Sequence, residues 1–106
     1  MKALYIPEDT AKTRVEEITG DNAHEELKAM QNAIGGYIET VRFGRDVALL
    51  VDEMGTLKAL RQNPLASLIA QRIILGTALL VGVEPDPEGD GDCFCDCPER
   101  YLRIFG

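Results

Sequence analysis

Cys93, Cys95 and Cys97 alternate in the run Asp92-Cys-Phe-Cys-Asp-Cys-Pro98, and in an extended chain that spacing turns all three thiols to one side. A structural zinc site takes four ligands, usually from paired C-x-x-C spacings, so this C-x-C-x-C run would need His24, Asp92 or Asp96 to complete it. A disulfide between residues two apart is strained. Packing cysteines are therefore expected, with a metal site or redox pair as the alternatives. Asp86, Glu88, Asp90, Gly91 and Asp92 echo the start of a calcium loop, but Cys97 stands where the twelfth-position Glu belongs and Pro87 stiffens the beginning. His24-Glu-Glu-Leu-Lys28 opens like a zinc-protease helix and then places a lysine where the second histidine is required. With one histidine in the chain, a nucleophile has a single candidate base and no pattern around it. No Walker-type phosphate loop and no dinucleotide glycine fingerprint occurs. The expectation is a protein without catalytic residues, cofactor or resident metal.

Tyr37, Arg42, Arg61, Asn63 and Thr77 are the polar residues that interrupt apolar runs. Arginines and a tyrosine beside glycine turns bind anionic small molecules through charge-assisted hydrogen bonds, so these five form the candidate ligand site. The competing reading makes them surface arginines and a packing tyrosine. For a protein partner the candidates are instead Asp86, Glu88, Asp90 and Asp92.

The elements that must position these residues follow from periodicity. Lys2 to Ile6 and Thr13 to Ile18 read as strands joined through Pro7-Glu8-Asp9. Asn22, with Glu25 three residues on, resembles a capping box, so a helix begins near Asp21. Ala23, Leu27, Met30 and Ile34 give it one apolar face, and Gly35-Gly36 ends it. Tyr37 to Phe43 is extended. Val47 to Val51 is apolar throughout, as expected of a central strand covered on both sides. Asp52-Glu53-Met54-Gly55 reads as a turn from which Thr56 to Leu60 pairs back as a short strand. Asn63-Pro64 starts a loop or short helix, and Leu75 to Val83 is another interior strand. The expected fold is α+β: a mixed, mainly antiparallel sheet of five to six strands with one principal helix packed on a face. The expected organisation is a core over residues 1–83, an acidic cysteine-containing mobile loop over 84–97 and a C-terminal clip over 98–106.

A chain of 106 residues with 45% hydrophobic content suits one modest core. Its net charge of −7 is local: Glu84 to Glu99 holds seven acids and no base, and the remainder balances at 11 acids against 11 bases. Lys and Arg are scattered, with no basic groove for a phosphate backbone, so direct nucleic-acid binding is not expected. No signal peptide is read at the N-terminus, and the apolar run Ile73 to Val83 is too short to span a bilayer.

The helix ending Ile34-Gly-Gly-Tyr-Ile-Glu39, the segment Leu50-Val-Asp-Glu-Met-Gly-Thr-Leu57 read as a hairpin, the turn Asn63-Pro-Leu-Ala66 and the strand Gly76-Thr-Ala-Leu-Leu-Val-Gly82 occur in an order that resembles the domain of unknown function 3846 family. With the opening MKALYIP, the resemblance covers most of residues 1–83, and the acidic, cysteine-bearing tail looks like a departure from it. The family brings no catalytic residue. It implies a phage or mobile-element protein in the bacterial host cytoplasm, in a class that interferes with host defence. The function expected on that basis is a non-enzymatic counter-defence protein, an oligomer sequestering a small anionic nucleotide. The alternatives are an inhibitor that holds a host defence protein through its acidic loop, and a regulator organised by metal on Cys93, Cys95 and Cys97.

Overall fold

The computed structural model describes residues 1–86, 89 and 91–106, with Asp92 described in its main chain alone. The elements run β1 (Lys2–Ile6), β2 (Arg14–Glu17), α1 (Ala23–Ile34), β3 (Ile38–Arg42), β4 (Val47–Asp52), α2 (Pro64–Ala70), β5 (Ala78–Pro85), β6 (Asp92–Cys95) and α3 (Glu99–Phe105). The strands form one six-stranded sheet in the order β2-β1-β5-β4-β3, with β6 also pairing β5, and every pairing is antiparallel. One edge of β5 is shared end to end: Ala78–Leu80 pair β1, and Gly82–Pro85 pair β6.

Successive strand residues point to opposite faces, and here both faces are buried. Leu4, Ile6, Val47, Leu49, Val51 and Leu80 face α2 and α3, whereas Ala3, Leu50, Leu79 and Val81 face Met30 and Ile34 of α1. β4 is buried at all six positions, as its unbroken apolar run anticipates. Each large aliphatic side chain sealed this way contributes about 1.5–3 kcal/mol. The expected principal helix is α1, and the second face is closed by two further short helices.

Three local expectations change. The apolar face of α1 buries Met30 and Ile34 with Ala29 and Ala33 against them, while Ala23 and Leu27 stay exposed beside β6. Thr56 to Leu60 is not a strand, so Leu50–Leu57 is no hairpin. Both edges of β4 are occupied, by β3 and β5, so the segment cannot pair back on the strand it follows. It coils instead into tight turns held by Lys58 N–H to Met54 C=O and Leu60 N–H to Gly55 C=O, with Ala59 at φ 53°. Lastly, the chain beyond residue 83 is largely structured. β5 continues to Pro85, β6 returns along it, and Cys97, Tyr101, Leu102 and Phe105 join the core against β1 and β4. Pro87, Glu88 and Asp90, the centre of the expected acidic loop, lie outside the described residues. No described helix is long and apolar enough to cross a membrane.

Candidate functional site

The five candidate ligand residues do not assemble. Tyr37 is exposed just before β3 and Arg42 ends the same strand, so they stand at opposite ends of the β3–β4 pair. The Arg42 guanidinium donates to the carbonyls of Gly44 and Arg45, which fixes the β3–β4 turn. Arg61 and Thr77 do come near each other, because Gly76 N–H donates to Arg61 C=O at 2.7 Å. Asn63 between them is wholly buried, and its amide makes three hydrogen bonds: Nδ2 donates to the carbonyls of Ile6 (2.8 Å) and Gly76 (2.9 Å), and Oδ1 accepts from Ala66 N–H (3.0 Å). Asn63 is therefore a bracket that caps α2 and ties β1 to the segment entering β5, with both donors committed and no surface open to a ligand.

The sequence reading passed over Asp52. Its side chain is buried, yet its carboxylate receives Lys58 Nζ at 2.7 Å and Met54 N–H at 2.8 Å, and Lys58 also donates to Gly35 C=O at 3.2 Å. These bonds clasp the end of α1 to the turn after β4. A Cβ on Gly36 would lie 2.6 Å from Asp52 Oδ2, so only glycine allows this approach. The Lys58 hydrogen bond, reinforced by Met54 N–H, outweighs burial and holds the Asp52 carboxyl below its ordinary pKa. The available signal was an acid closing a wholly apolar strand with a lysine six residues on.

Beside that clasp a cleft of about 180 Å³ opens over β3 and β4, with Glu39, Glu53 and Thr56 on one side and Arg72 to Leu75 on the other. A second, more apolar groove of about 270 Å³ lies between α1 and β6, lined by Met1, Leu27, Met30, Cys93 and Phe94. Neither contains any of the five candidate ligand residues. The charged groups on the first cleft are Glu39, Glu53, the Lys58-paired Asp52 and Arg72, among otherwise largely apolar residues.

The cysteines separate by depth. Cys93 lies 3.9 Å from a Glu84 carboxylate oxygen, Cys95 packs where Gly82 leaves room, and Cys97 is buried in the core. Burial pushes the Cys97 thiol up to about 11 and, together with the Glu84 charge, raises Cys95. Among the described residues no three His, Cys, Asp or Glu side chains gather as a metal site requires, and the side chain of Asp92, one of the expected ligands, lies outside them. His24 stands exposed in the first turn of α1, where Asn22 accepts Glu25 N–H as the capping pattern anticipates.

Of the partner-binding candidates, Asp86 is exposed at the end of the β5–β6 arm, and the side chain of Asp92, with Glu88 and Asp90, is outside the described set. Val83–Pro85 pair with Asp92–Phe94 beyond the last rungs to β1 and β4, and Val83 N–H is anchored on Asp46 C=O. At the base of this arm Asp46 takes a bidentate pair from Arg100 of α3, at 2.7 and 3.0 Å.

Comparison with known proteins bears on this architecture. A family described as a domain of unknown function, DUF3846, matches residues 1–106, so the acidic and cysteine-bearing tail lies inside the family match and is no departure from it. No curated protein is similar enough to count as a relative. The fold is similar to part of the crystal structure of small RNA methyltransferase HEN1, with a TM-score of 0.69 and 17% identity. The similarity covers 96% of this chain and 15% of that one, and at this identity it speaks for the fold alone.

Proposed function

The chain belongs to the family described as a domain of unknown function, DUF3846, and from that premise we propose that it is a non-enzymatic binding protein of phage or mobile-element origin, acting in the host cytoplasm against a defence protein. It holds a basic surface of that protein with the acidic β5–β6 arm. The observation that carries this reading is the arm itself. Glu84 and Asp86 are exposed on it, Glu88, Asp90 and Asp92 follow in sequence, and its root is locked into the central strand and pinned by the Asp46–Arg100 pair. A charged segment on a rigid base sets partner orientation and association rate through complementary potential.

The alternative, sequestering of a small anionic nucleotide, has less geometric support. Asn63 is sealed, Tyr37 and Arg42 are far apart in the fold, and the polar cleft sets Glu39 and Glu53 against a single arginine, Arg72.

The test compares the native chain with D86N/E88Q/D90N/D92N in capture from host lysate at low and high salt. The native protein should retain a basic partner at low salt and release it at high salt, and the variant should retain none. Equal capture by both would remove the acidic arm from the function. Titration with cyclic and ADP-ribose nucleotides addresses the alternative, which requires heat that the same variant leaves unchanged.

A further inference from the structure

β3 ends the sheet, so one of its sides carries main-chain groups that no described strand pairs. The phase of the β3–β4 ladder says which groups these are. Glu53 N–H donates to Tyr37 C=O at 3.0 Å, which makes Tyr37–Glu53 a hydrogen-bonded rung. Alternation then makes Glu39–Val51 and Val41–Leu49 the next bonded rungs, and the N–H and C=O of Ile38 and Thr40 point outward.

We infer that this edge pairs with itself: a second copy of the chain adds its own β3, antiparallel, about a two-fold axis through Thr40. The sheet then runs continuously through both copies. The inference is independent of the acidic arm and of any partner it holds.

Three observations select a second copy as the occupant. First, Thr40 is the middle residue of the five in β3, so a two-fold there brings the outward groups of each strand into phase with those of the other. Thr40 exchanges main-chain bonds with Thr40 of the second copy, and Ile38 stands opposite Arg42. Second, the side chains that meet are compatible. Thr40 faces Thr40, a favourable cross-strand pair, Glu39 faces Val41, and no two like charges stand directly opposite. Third, exposed apolar surface collects beside this edge: Tyr37 just before β3 is 69% exposed, and Ile73, in the cleft that opens along β3, is 71% exposed. On the opposite side of the sheet β2 reads Arg-Val-Glu-Glu, three charges in four residues against two in five for β3, a composition that discourages edge pairing. An isologous two-fold contact also closes on itself, which limits assembly at this edge to a dimer.

Sedimentation of the purified chain at high micromolar concentration should give twice 11.7 kDa, and a single species of 11.7 kDa would overturn the inference. Thr40→Pro removes an outward N–H and leaves the bonded rungs to β4 intact, so it should give the 11.7 kDa species. A dimer that survives this change, with circular dichroism showing native strand content, would also overturn it. Should Thr40→Pro fail to fold, T40K and T40E replace it. Each alone sets like charges opposite and should be monomeric, and an equimolar mixture should recover the dimer. Failure of the mixture to pair places any dimer elsewhere and ends the proposal.

Discussion

At the residue scale, the environment of a group decides its chemistry more than its neighbours in sequence do. Cys97 shares a spacing with Cys93 and Cys95 but sits in the core, with its thiol held neutral up to about 11. With iodoacetamide at pH 8, mass spectrometry should show Cys93 labelled first and Cys97 last, the latter at a rate set by opening of the fold. Because its folded pKa is raised, the stability linked to Cys97 is fully present below the ordinary thiol value of about 8.5 and is lost as pH rises through about 11. Asp52 works in the opposite sense. Its folded pKa is depressed, so its contribution is present above the ordinary carboxylate value and is lost as pH falls through the depressed one. Lys58→Met should lower unfolding stability by about 1–2 kcal/mol, since Lys58 is partly exposed and its loss leaves Asp52 only the Met54 N–H. The same variant should weaken the acid-side loss of stability, which urea titrations at two pH values measure.

At the element scale, the short helix α2 depends on a residue outside it. Asn63 is the point where β1, α2 and the segment entering β5 are joined, and its three side-chain bonds are all with main-chain groups. Asn63→Ala should cost about 3 kcal/mol or more, because it strands buried carbonyls of Ile6 and Gly76 as well as the Ala66 N–H. Asn63→Asp should be worse, since a carboxylate would face two carbonyl oxygens. Urea unfolding of the two variants checks the order. The turn after β4 carries the parallel lesson: residues 56–60, expected to pair back on β4, coil instead, since β4 has no free edge.

At the scale of the whole molecule, the tail is part of the domain. Truncation after Val83 would remove β6 from the edge of β5 and take Cys97, Tyr101, Leu102 and Phe105 out of the core. Tyr101, Leu102 and Phe105 are partly buried, so each contributes less than the about 1.5–3 kcal/mol of a fully buried side chain, but together with the lost β5–β6 ladder this is a large share of the roughly 5–15 kcal/mol of a typical domain. The truncated chain should lose its cooperative thermal transition in calorimetry. A sharp transition would restore the boundary at residue 83 and detach the acidic arm from the fold.

The sequence alone determined the features that depend on neighbours a few residues apart: the opening strand pair, the capped start and glycine stop of α1, the doubly covered β4, and the concentration of charge after Val83. Only the tertiary structure decided which polar residues were spoken for. Asn63 bonds Ile6 across 57 residues, Lys58 reaches back 23 residues to Gly35, and Arg100 finds Asp46 at a separation of 54. Hydrogen-bond capacity is spent in three dimensions, so a polar side chain that looks available along the chain can already be committed in the fold. A strand's free edge is settled in the same way, by what the rest of the chain leaves uncovered.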